Sequence, residues 1–303
     1  MIRASFIASI CMALLCCMSC GGSGDPAVPD TPTPDKPTDK LPISISTSIT
    51  RATETAFESG DKVGLFVVNR NADGSAAALN TSGNYVDNML YTYTNVWTPA
   101  TGIYWKDGKT HADFYLYYPY RQHVESVTAM PFSTKADQST LTAYKSGDLL
   151  IGSTLNVAPA LSAVRIEARH VMSQVDIRLK AGAGFTESTL AAANVRVSLN
   201  NIRTDATVDL ATAAVTATGQ ASTITPYNDG SAYHAIIAPQ QVAEGNLITV
   251  SVDGSDYNLS KAFTFQSGKR HTFTVTIDKT SSGMNVTIGA WEDDGHDNGG
   301  SAI

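Results

Sequence analysis

The chain has 303 residues, of which 43% are hydrophobic and 16% charged, and its formal net charge is −7. That length gives room for two domains of about 100–150 residues, with enough apolar material to core both. The acidic balance excludes the electrostatic footprint of a nucleic-acid-binding protein, because phosphate binding needs clustered Lys and Arg.

The four cysteines are Cys11, Cys16, Cys17 and Cys20, so everything beyond the first twenty residues lacks a thiol. The body therefore has no disulfide, no cysteine metal ligand and no cysteine nucleophile. The first 19 residues carry one charge, Arg3, followed by an apolar run over 6–18. That run is short for a membrane span and reads as a secretory signal peptide. It ends Cys17-Met18-Ser19-Cys20 ahead of Gly21-Gly22, which resembles a bacterial lipoprotein signal in which Cys20 is lipidated and becomes the new amino terminus. The alternative is an ordinary signal peptide with a spare cysteine. Residues 20–42, rich in Pro, Asp, Thr and Gly, bury too little apolar surface to fold and read as a tether. Anchor followed by tether holds the folded part off a membrane surface.

From residue 43 onward the periodicity is that of strands. Residues 43–49 alternate apolar and polar. A basic residue, Arg51, follows between Thr50 and Ala52, and a Gly60-Asp61 turn precedes the apolar run 63–68. Residues 84–94 form a tyrosine-rich strand region, and 113–120 is the most aromatic stretch, ending around Pro119 as an edge strand does. Near 158–162 the pattern restarts. Alternating runs follow at 175–179, 195–199, 207–210, 248–252 and 271–277, then a short one at 286–288. The single helix candidate is 186–193, which is short and could as easily be a loop. These short strands between Gly, Asn and Asp turns predict an all-β protein of two tandem sandwich domains, 43–162 and 163–303.

Candidate sites are sparse. His170 with Ser173 three residues on suggests a Ser-His pair, but no Gly-x-Ser-x-Gly elbow or orienting acid is legible beside it, and a structural histidine at the domain junction is the favoured reading. The six histidines show no metal-ligand spacing. Residues 292–299 resemble a loose calcium loop that lacks EF-hand spacing, and a solvated tail explains them as well. The aromatics Tyr85, Tyr91, Tyr93, Trp97, Tyr104, Trp105, Tyr115, Tyr117, Tyr118 and Tyr120 could offer a sugar-stacking face, with Trp105 the residue to test, or simply pack. No phosphate-binding glycine loop occurs. No catalytic residue, metal or cofactor is expected.

In sum, the order of these features resembles the fimbrillin family of pilus subunits and related surface lipoproteins of Bacteroides-type bacteria. The residues that carry it are Thr50-Arg51-Ala52 ahead of Phe57 and Gly60-Asp61-Lys62-Val63-Gly64-Leu65-Phe66, then Tyr104-Trp105 with the aromatic stretch 114–120. Gly147-Asp148-Leu149-Leu150, His170-Val171-Met172-Ser173-Gln174-Val175, Gly268-Lys269-Arg270-His271-Thr272-Phe273 and Trp291 follow. The resemblance implies two transthyretin-like domains and export as an outer-membrane lipoprotein acylated at Cys20. In polymerising members it also implies a cut by an Arg-directed protease, here between Arg51 and Ala52. The cut removes the first strand, and a strand of another subunit fills the groove. The resulting fimbrium would support adhesion to a host glycan or protein. The alternatives are an uncut pilus anchor, or a monomeric lipoprotein that binds a glycan, with Arg51 a solvated turn residue.

Overall fold

The computed structural model describes residues 40–50, 56–280 and 283–288. Lipidation at Cys20, the cut between Arg51 and Ala52, Trp291 and the 292–299 loop all lie outside the described residues.

The first part of the described chain runs through β1 (Ile45–Thr50), β2 (Lys62–Asn69), β3 (Val86–Tyr93), β4 (Trp97–Pro99), β5 (Ala112–Tyr118), β6 (Met130–Ser133), α1 (Leu141–Lys145), β7 (Leu150–Val157) and β8 (Val164–His170). Seven of these strands form one sheet in the order β1-β8-β7-β5-β2-β3-β4. Neighbours are antiparallel except β1, which runs parallel to β8. Strands β2 and β5 are buried over nearly their whole length, which is why 63–68 and 113–118 read as continuous apolar or aromatic runs and not as alternations. The turn into β2 forms as its Gly-Asp pair dictates. Gly60 sits at φ +102°, and the Asp61 N–H donates to the Glu58 carbonyl at 3.0 Å.

The second part contains β9 (Ser173–Ala181), α2 (Glu187–Ala192), β10 (Val195–Val208), β11 (Val215–Ile224), β12 (Tyr227–Asn228), β13 (Tyr233–Ile237), β14 (Gln240–Val242), β15 (Asn246–Val252), β16 (Ser255–Ser260), β17 (Phe263–Phe265), β18 (Arg270–Thr280) and β19 (Gly283–Ile288). One sheet has the order β11-β10-β15-β16, with β6 also on β10. A second has the order β12-β13-β9-β18-β19, and β14 pairs with β17. Of the two readings open for 186–193, the helix forms, as α2, whereas α1 lies where the sequence offered no helix candidate. The Thr186 hydroxyl accepts from the Thr189 N–H while the Thr189 hydroxyl accepts from the Thr186 N–H, a reciprocal cap.

Three apolar cores result. Among the described residues, one draws on residues 41–168, around Val63, Leu65, Tyr91, Phe114, Leu116 and Ile166. A second draws on 175–277, around Val175, Ile177, Leu199, Ile248 and Phe273. The third joins the far face of the seven-stranded sheet (Phe66, Tyr115, Tyr117) to Val208, Ile236 and Met130. The all-β expectation holds. Two details differ from the sequence reading. The runs 195–199 and 207–210 belong mostly to one 14-residue strand, β10, whose first residues pair with β15 and whose remainder pairs with β11 past irregularities in register. Strand β8, which follows the expected boundary at 162, is hydrogen-bonded between β1 and β7 in the first sheet.

Candidate functional site

The site is the slot that holds β1. The segment enters through a short antiparallel bridge. The Ile43 N–H donates to the Ile103 carbonyl at 2.9 Å, and the Trp105 N–H donates to the Leu41 carbonyl at 2.8 Å. The chain then crosses to β8, where the Val164 N–H donates to the Ser44 carbonyl at 2.8 Å and a six-residue parallel register begins, from Ile45 opposite Val164 to Thr50 opposite Arg169. Strand β1 is the edge of its sheet. It ends at Thr50, directly before Arg51.

Strand geometry sends alternate side chains to opposite faces. Ser44 and Ser46 are exposed, whereas Ile43 and Ile45 are 4% and 5% exposed. Burying each isoleucine is worth about 1.5–3 kcal/mol. Ile49, half-buried, packs on the same core. Between them, in the inward phase, stands a polar residue, Thr47. Its hydroxyl accepts from the Trp97 indole Nε1–H at 2.7 Å. Trp97 is held by an aromatic cluster, with Phe57 edge-on at 4.9 Å and Tyr93 tilted at 5.1 Å, and Tyr118 packs edge-on to Phe57 at 5.7 Å. The buried Tyr91 lies under the entry to the slot, its hydroxyl 3.5 Å from the Ile43 carbonyl. Burial raises that hydroxyl's pKa far above the ordinary tyrosine value, so it remains a donor.

The other sequence candidates resolve differently. His170 does find an acid, which the sequence reading missed because it lies on another segment. Its Nδ1 is 2.7 Å from Asp148 Oδ1. Ser173 does not join them, since its hydroxyl donates to the Gln266 carbonyl at 2.6 Å. The geometry orients a histidine but gives it no serine to activate. Trp105 is 4% exposed, its indole N–H donates to the Ala160 carbonyl at 3.2 Å, and its ring packs edge-on to Phe114. It is a core residue and not a stacking platform, as are the buried Tyr91, Tyr115 and Tyr117. Tyr85 and Tyr104 are the aromatics of that set left substantially open. Among the described residues no group of three or more His, Cys, Asp or Glu could hold a metal. A second polar cluster that the sequence did not reveal surrounds His234, which bridges Asp176 at 2.8 Å and Asp229 at 3.0 Å. Those two hydrogen-bonded carboxylates raise its pKa above the usual histidine value, the bond to Asp176 most, against the lowering effect of burial.

The fimbrillin-like family model matches residues 50–291. A candidate fimbrium subunit of Bacteroides uniformis, Fim1C, is 26% identical over 255 residues, 80% of this chain and 81% of that protein. Two crystal structures share the fold. A candidate cell adhesion protein from Bacteroides ovatus superposes with a TM-score of 0.64 at 18% identity, covering 83% of this chain and 96% of that one. Another from Bacteroides uniformis gives 0.63 at 23% identity, covering 85% and 100%. The chain belongs to the fimbrillin-like family.

Proposed function

We propose that this protein is a fimbrial subunit that assembles by strand exchange. It is exported as a lipoprotein anchored at Cys20 on the outer membrane. A cut after Arg51 releases β1, an extended segment of another fimbrial subunit takes its place, and the assembled fimbrium serves adhesion. The body is organised as two tandem transthyretin-like sandwiches. Two apolar cores, one within 41–168 and one within 175–277, support that division with the changeover after β8, while a third core and the pairing of β6 with β10 join the two halves.

The observation that carries the reading is the position of β1. It is an edge strand with its own buried isoleucines, it ends one residue before Arg51, and it is joined to the fold through one neighbouring strand and a short entry bridge. Losing it exposes the β8 edge and an apolar slot, which is a template for an incoming strand. Membership of the fimbrillin-like family supports the same reading.

The test is the amino-terminal residue of the protein isolated from the native cell surface, determined by mass spectrometry. An amino terminus at Ala52 in the polymer is the expected result. An acylated Cys20 as the sole form overturns the exchange mechanism and leaves a permanently anchored surface protein.

A further inference from the structure

We propose that Trp97 reads the strand that fills the β1 slot, selecting an occupant with the inward pattern apolar, apolar, hydroxyl, apolar. The inference rests on the strand-exchange reading above and names the partner's chemistry.

Most of what β1 gives the fold is backbone. The Trp105 N–H, the Ile103 carbonyl and the β8 edge are satisfied by main-chain groups of residues 41–50. A replacement running in the same direction and register restores those bonds whatever its sequence. Selection therefore falls to the inward side chains. The Ile43 and Ile45 positions are closed and apolar, and Ile49 packs on the same core. The Thr47 position is different in kind. Trp97 is 9% exposed, its indole has one donor and no acceptor, and that donor is spent on the Thr47 hydroxyl at 2.7 Å. A hydrocarbon in that position would leave the N–H without a partner in a place water reaches poorly. The aromatic contacts from Phe57 and Tyr93 hold the indole where it is.

This pattern discriminates among donors. The chain's carboxy-terminal run offers Met284, Val286, Ile288 and Ala290 at alternate positions. It puts a hydrocarbon where the hydroxyl belongs. The preferred occupant is thus an extended segment of a different subunit, with Ser or Thr third among its inward residues. The slot favours a mixed polymer over head-to-tail copies of this chain joined by that run.

The experiment uses the full chain with a site for a specific protease placed within 51–55. The engineered cut makes the result independent of whether Arg51 is cut in the cell, so failure here and failure of the exchange mechanism are separately visible. After cutting, release of the amino-terminal fragment is timed across a urea series for the parent, Thr47→Ser and Thr47→Val chains. The expected result is release about ten- to a hundredfold faster for Thr47→Val, with Thr47→Ser close to the parent. In a Trp97→Phe background the Thr and Val chains should release alike. If that background does not fold, the three position-47 chains decide alone. Equal release of the Thr and Val fragments overturns the proposal. Labelled peptides test the partner. A peptide of residues 40–50 should be retained longer than one of residues 282–292, and equal or stronger retention of the latter overturns the preference for a different subunit.

Discussion

Arg70, just past the end of β2, places its guanidinium Nε 2.8 Å from the Asp113 carboxylate on the neighbouring β5. The Asp113 side chain is 1% exposed and also accepts from the Asn156 N–H at 2.6 Å. One pair thus ties β2, β5 and β7 together at one end of the sheet. Removing the cation strands a buried charge, which costs about 3–5 kcal/mol. Arg70→Met should lower stability by that order in urea unfolding. The double variant Arg70→Met with Asp113→Leu should recover a large part of the loss.

Gly152 on β7 faces β8, the strand on which β1 docks. A Cβ at this position would stand 2.5 Å from the Glu167 carbonyl oxygen and 2.9 Å from Ile166 Cγ2. The first is backbone and cannot step aside, so Gly152→Ala must push β8 away. A cost of about 1–3 kcal/mol is expected. Because the shifted strand is β1's partner, hydrogen exchange at the β1–β8 amides should rise more than at β2–β5. Equal effects on both would show that the strain is shared across the sheet.

His234 gives stability a pH dependence of known sign. Its pKa in the folded protein is raised by hydrogen bonds and charge from Asp176 and Asp229. The contribution is therefore complete below the unfolded-state value of about 6.5, and is lost as pH rises through the higher folded value. Arg270, 3.6 Å from Asp176, keeps that carboxylate partnered after the proton leaves. His271, whose pKa burial lowers, contributes with the opposite sign, so the His234 share of the fall in melting temperature from pH 6 to pH 8.5 is read against a variant lacking His234. In His234→Gln that fall should be smaller, and an unchanged pH dependence would assign it elsewhere.

If the proposed mechanism holds, anchoring at Cys20 and processing at Arg51 should separate. Cys20→Ser should abolish incorporation of labelled fatty acid while leaving the folded body's melting temperature unchanged. Arg51→Ala should preserve acylation but hold β1 on the subunit, so cells should accumulate the acylated form and lose polymer.

The sequence by itself determined the class of fold and the phase of its strands. Alternation at 43–49, 175–179, 248–252 and 271–277 says which side chains point inward, because side-chain direction in a strand has a period of two. The capping threonines likewise specify α2 locally. What no periodicity carries is the partner. That β1 runs parallel to β8, that β8 completes the first sheet, and that β10 serves β15 with one stretch and β11 with another are decided by which apolar faces find each other after long excursions of chain. The same holds for polar contacts. Thr47 looks like one more polar residue in a serine-rich strand until Trp97, fifty residues on, is folded over it, and Asp148 joins His170 only when the ends of β7 and β8 meet. A single inward hydroxyl facing a single indole N–H is a tertiary fact, since hydrogen bonds between distant side chains leave no spacing in the sequence to be read.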